Sequence, residues 1–93
     1  MITAIVHVDV EVARVPEAAQ AIADLAGVSE VYSVTGDTDL VVLVRVRQQE
    51  ELAEVIADRV GKVPGVRATR TYLAFRTYSR HDLEAAFALG AEG

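Results

Sequence analysis

From residue 2 to residue 12 every even position is apolar: Ile2, Ala4, Val6, Val8, Val10 and Val12. Successive side chains of an extended chain point to opposite sides, so this two-residue period lays an apolar row along one face of a strand. A helix would send the same residues to both sides of its axis. A strand with one buried face needs partner strands and a covering layer, and the remaining sequence supplies both. Residues 28–35 are rich in Val, Tyr, Ser and Thr, residues 40–47 are rich in β-branched valine, and Gly36-Asp37-Thr38-Asp39 lies between them. Together they predict a hairpin. Residues 66–77 read as a last strand, in which Tyr72, Leu73, Ala74 and Phe75 place apolar groups at both parities.

The covering layer comes from two helical segments. Pro16 suits a first helical turn, and Ala18, Ala19, Ile22, Leu25 and Ala26 recur on one side, with Glu17, Gln20 and Asp24 outward and Gly27 as the stop. In the second segment Glu50 and Glu51 suit the positive first turn, and Arg59 and Lys62 the last. Leu52, Val55, Ile56 and Val60 form its buried stripe, and Gly61, Pro64 and Gly65 end it.

The order β-α-β-β-α-β is a split pair of βαβ units, which right-handed crossovers close into a four-stranded antiparallel sheet with both helices on one face. The expected class is therefore α+β, a ferredoxin-like sandwich. Its second sheet face is not polar, since Val41, Leu43 and Ile5, with Leu73 and Phe75, exceed what the helices can cover. A second copy packed face to face, a dimeric α/β barrel, is the simplest cover. Size favours the same answer, because a 93-residue chain buries only about 60 to 65% of its unfolded surface alone. Ser79-Arg80-His81-Asp82 resembles a helix start, with Leu83, Ala86 and Phe87 at helical spacing. The expected organisation is one ferredoxin-like unit over residues 1–78 and a helical extension over 79–93.

Charge and composition narrow the functional classes. A net charge of -5 opposes the phosphate neutralisation that supplies most nucleic-acid affinity, so direct nucleic-acid binding is not expected. Without cysteine there is no disulfide, thiolate nucleophile or cysteine zinc site. No apolar run reaches the roughly 20 residues that span a bilayer, and no signal peptide is visible, so the expectation is a cytoplasmic protein without membrane contact.

The most distinctive stretch is Val34-Thr35-Gly36-Asp37-Thr38-Asp39-Leu40. Glycine and aspartate are ordinary turn residues, and turn chemistry alone accounts for them. The functional alternative is that turn N–H groups receive a ligand carboxylate while Asp37 or Asp39 receives an ammonium, a pairing suited to a zwitterion. Thr69 and Thr71, two apart, offer hydroxyls on one sheet face, although threonine is also a good strand former. Tyr32 and Tyr72 are candidate pocket walls or interface residues. His7 and Asp9 form a conceivable base and orienter, against the simpler reading of His7 as a partly buried interface residue. His81 reads as a surface residue at a helix start. No metal or phosphate motif accompanies any of these, and no cofactor is expected.

With Val63-Pro64-Gly65-Val66-Arg67-Ala68-Thr69-Arg70-Thr71-Tyr72, that turn resembles the two signature stretches of the C-terminal domain of leucine-responsive (Lrp/AsnC) regulators, the regulation-of-amino-acid-metabolism domain. The resemblance covers roughly residues 2 to 77. It implies a dimer of facing sheets, assembly of dimers into a ring such as an octamer, and effector amino acids bound in clefts between subunits. Gly36, Asp37, Asp39, Thr69, Thr71 and Tyr72 are the ligand-binding residues it implies. Full-length relatives carry an N-terminal helix-turn-helix domain, whereas here the first strand begins at residue 2 after a native-looking Met1. The expectation is a stand-alone sensor that acts through oligomerisation or through co-assembly with full-length regulators, and that is not an enzyme. The extension over 79–93 also departs from the family pattern, which leaves the higher assembly open. The alternative is a small dimeric enzyme, monooxygenase- or isomerase-like, built on the same fold.

Overall fold

A computed structural model of the chain describes residues 1–80. Strand β1 (Ile2–Val10) leads through a 3-10 turn, Val12–Arg14, into α1 (Val15–Ala23). Strands β2 (Val28–Ser33) and β3 (Leu40–Val46) follow. Helix α2 (Gln49–Ala53) continues as π-helical winding over Glu54–Arg59 and a 3-10 turn over Val60–Lys62 before β4 (Val66–Ala74). The expected helical extension over 79–93, His81 included, lies outside the described residues except for Ser79 and Arg80.

The four strands form one sheet in the order β2-β3-β1-β4, every neighbouring pair antiparallel. This is the expected ferredoxin-like arrangement, with β1 and β3 central. Their even residues make the floor of the core: Ala4, Val6, Val8, Leu40, Val42 and Val44 are all fully buried, with Val10 and Val46 nearly so. Ala18 and Ile22 close it from α1, Val55 and Val60 from the second helical segment. All these side chains are aliphatic and most are β-branched, stiff groups that interlock on a pleated surface.

The second helical segment departs from a regular α-helix, and the core shows why. Val55 and Val60 are both buried although five residues apart. That spacing would point them to different sides of an α-helix, whereas i→i+5 winding brings them towards one side. Leu52 and Ile56, the other members of the expected stripe, are only partly buried against the core edge. Arg59 Nη1 donates to the Ala26 carbonyl at 2.9 Å and ties this segment to the loop before β2.

Gly27 does not cap α1. The helix ends at Ala23, and Gly27 turns the chain into β2 with a φ of 93° that favours glycine. A Cβ there would lie 2.6 Å from Val55 Cγ2, so the turn also needs the missing side chain.

The strands are shorter than expected, and two irregularities reset their parity. The β1–β4 register shifts between Asp9 and Val10, so that Val66 opposes Val10 while Ala68 opposes Asp9. A second shift between Val28 and Glu30 lets Val28 and Val31 both face the core side. Directly paired residues share a sheet face, so Leu73, opposite Ala4, lies on the helix side rather than the open face. Phe75 lies beyond the end of β4. From β4 the open face instead receives Ala68, Arg70, Tyr72 and Ala74.

Candidate functional site

The turn between β2 and β3 occupies one end of the sheet, and most of its bonds run to the last residues of β1. The Asp39 N–H donates to the Val8 carbonyl at 3.3 Å, and the Thr38 hydroxyl donates to the same oxygen at 3.3 Å. Asp39 Oδ2 accepts the Val10 N–H at 2.8 Å. At the base of the turn the Val34 N–H donates to the Asp39 carbonyl at 3.1 Å. Thr38 is buried, while Thr35, Gly36 and Asp37 form an exposed crown. Gly36 has φ 112°, and nothing lies within 4 Å of where its Cβ would stand. Glycine is favoured there by backbone angle and not by crowding.

Thr69 and Thr71 lie across β1 from this turn. Val8 pairs with Leu40 on one side and with Thr69 on the other, so the end of the turn and Thr69 are two strand spacings apart, roughly 10 Å. Thr69 and Thr71 face the helix side of the sheet, on an edge strand that the helices leave partly uncovered: Thr69 is half-buried and Thr71 exposed. Tyr72, of opposite parity, pairs with Ile5 and stands on the open face. The six candidate residues therefore gather at one end and one edge of the sheet but, among the described residues, do not line a single concave surface.

The open face has its own chemistry. Val41, Leu43 and Ile5 form its half-buried apolar centre, flanked by Tyr32 and Tyr72. The His7 and Tyr72 rings meet edge to face, with centroids 5.1 Å apart. Arg70, directly opposite His7, donates from Nη1 to Asp9 Oδ2 at 3.1 Å. The Asp9 carboxylate thus serves Arg70, and no hydrogen bond among the described residues makes it an orienter for His7. The second oxygen, Asp9 Oδ1, is buried without a hydrogen-bond partner among the described residues. No local pattern in the sequence marks Arg70 and Asp9 as a pair; the available signal is opposite charges within two strands that adjoin. Among the described residues, no three His, Asp or Glu side chains converge as a metal site would require. No helix among them is long and apolar enough to cross a membrane.

A family model for the Lrp/AsnC ligand binding domain matches residues 3–83. This chain belongs to the Lrp/AsnC family. The HTH-type transcriptional regulator FL11 of Pyrococcus horikoshii is 36% identical to it over 75 residues, 81% of this chain and 49% of the regulator. The chain spans about half the length of the curated relatives it matches. Among solved structures, TTHA0845 of Thermus thermophilus is 49% identical, with a TM-score of 0.81 over 86% of this chain and 100% of that one. The feast or famine regulatory protein of M. tuberculosis, solved in complex with L-methionine, is 28% identical, with a TM-score of 0.70 over 86% of this chain and 54% of that one. The expected family and the expected ferredoxin-like fold of the single chain are borne out, and the relative from Pyrococcus horikoshii is named as a transcriptional regulator.

Proposed function

We propose that this Lrp/AsnC domain is an effector sensor that binds an amino acid or a similar small metabolite where subunits meet. The observation that carries the reading is the split placement of the candidate residues. The turn at Gly36, Asp37 and Asp39 lies at one end of the sheet and the threonines at 69 and 71 lie along its edge strand, and among the described residues they do not enclose a volume. A neighbouring copy is the natural source of the missing wall. In such a cleft Asp37 or Asp39 meets the ligand ammonium, turn N–H groups and threonine hydroxyls meet its carboxylate, and Tyr72 lines the subunit contact. The L-methionine bound by the mycobacterial relative supports an amino acid as the ligand class.

Assembly through the open sheet face fits the same reading. An apolar centre with a polar rim is how protein interfaces are built. Asp9 Oδ1, buried without a partner among the described residues, is a group that a donor from a facing copy would satisfy. The response then passes through oligomerisation, as dimers or rings of dimers, or through co-assembly with full-length regulators in the cytoplasm. With a net charge of -5, the domain does not supply the DNA contact itself.

Calorimetry against the twenty amino acids, with sedimentation run in parallel, tests this. Heat of binding for at least one amino acid, accompanied by a change in assembly, is the expected result. A ligand held at a hundred times its Kd would also raise stability by about 2.7 kcal/mol. Absence of heat and of any melting shift across the panel at millimolar concentration would overturn the reading.

A further inference from the structure

The two carboxylates of the turn have different surroundings. Strand β3 begins at Leu40, opposite Val8, so Val10 lies one step beyond the end of the β1–β3 ladder and its N–H has no strand partner on that side. Asp39 Oδ2 takes that N–H at 2.8 Å, in a part-buried bond across 29 residues of sequence. The main chain of Asp39 makes two more bonds, to Val8 and to Val34. On the other side of β1 the register with β4 shifts at the same step, between Asp9 and Val10. A strand end next to a bulge is where backbone pairing lapses, and the Asp39 side chain restores it. Asp37, by contrast, is exposed and makes no hydrogen bond or ion pair among the described residues.

We infer that Asp39 is a positioning residue whose carboxylate clamps the β2–β3 turn onto the end of β1, leaving Asp37 as the carboxylate presented to the ligand. The inference rests on the amino-acid-binding reading above and divides between two residues a role that the sequence leaves shared. An amide oxygen accepts a backbone N–H as a carboxylate does, so Asp39→Asn keeps the clamp without the charge, whereas Asp39→Ala removes both.

The test compares Asp39→Asn, Asp39→Ala and Asp37→Asn in the full chain, by calorimetry with the amino acids that bind the wild type and by amide hydrogen exchange at Val10. Asp39→Ala is expected to weaken binding about tenfold or more and to speed Val10 exchange. Asp39→Asn recovers most of the lost affinity and restores Val10 protection. Asp37→Asn weakens binding about tenfold or more with Val10 protection intact, as expected for loss of a charge-assisted contact. Binding lost equally in Asp39→Asn and Asp39→Ala, with Val10 still protected in the former, would make Asp39 a direct ligand contact and overturn the inference. Unchanged Val10 exchange in Asp39→Ala would overturn it as well. If the wild type binds no amino acid, the functional reading falls separately, and Val10 exchange in the variants still decides whether the clamp exists.

Discussion

The two faces of the sheet are woven from the same strands and serve different ends. On the helix side β1 and β3 present only aliphatic groups, from Ala4 to Val10 and from Leu40 to Val46, nearly all excluded from solvent. On the open side the same two strands present Thr3, Ile5, His7 and Asp9 beside Val41, Leu43 and Arg45, none of them fully buried. Both rows favour extended backbone, so strand formation alone does not require their difference. The uniform face gains its stability by excluding water. The mixed face keeps polar groups whose pairing depends on geometry, which suits it to the subunit contact proposed above.

The largest effect that would sharpen this contrast is expected on the covered face. Leu40→Ala should cost about 2–5 kcal/mol in urea denaturation, because a fully buried side chain leaves a cavity that stiff valines fill poorly. On the open face Leu43→Asp should leave the far-ultraviolet circular dichroism intact while weakening self-association by about 2 kcal/mol or more, visible in sedimentation as dissociation at lower dilution, since each contact would bury an unpaired charge. Equal losses of folding stability in the two variants would break the distinction between the faces. Tyr72→Ala should cost about 0.5–1.5 kcal/mol in thermal melts through the lost edge contact with His7. Arg70→Gln should change stability by less than about 1 kcal/mol, and high salt should erase the difference, because the pair with Asp9 is partly exposed.

The element order could be read from the sequence because its signals are periodic and local: even-position apolar residues for β1 and β3, turn residues for the hairpin, amphipathic spacing for the helices. Parity also held information about the site, since 69 and 71 differ from 72 in parity and so Tyr72 cannot share their face. What escaped were features that depend on contact between distant segments. The register shifts at Asp9/Val10 and Val28/Glu30 insert a residue without any distinctive composition. The π-helical winding over Glu54–Arg59 answers the needs of the core rather than a local preference. Asp39 illustrates the same limit at the site, where a carboxylate in a turn can hold a ligand or hold its own backbone. The Asp39 carboxylate bonds the amide of Val10, 29 residues away, a contact that no local pattern announces.

Among the described residues the buried core contains no aromatic ring, and the three tyrosines, Tyr32, Tyr72 and Tyr78, are 46%, 53% and 80% exposed. With no tryptophan in the chain, its intrinsic fluorescence comes mainly from these outer rings. Tyr32 and Tyr72 stand on the open sheet face, so the protein carries optical reporters where a partner would dock, while its valine-rich interior is spectroscopically silent. Emission measured on dilution would follow the meeting of surfaces more directly than the melting of the core.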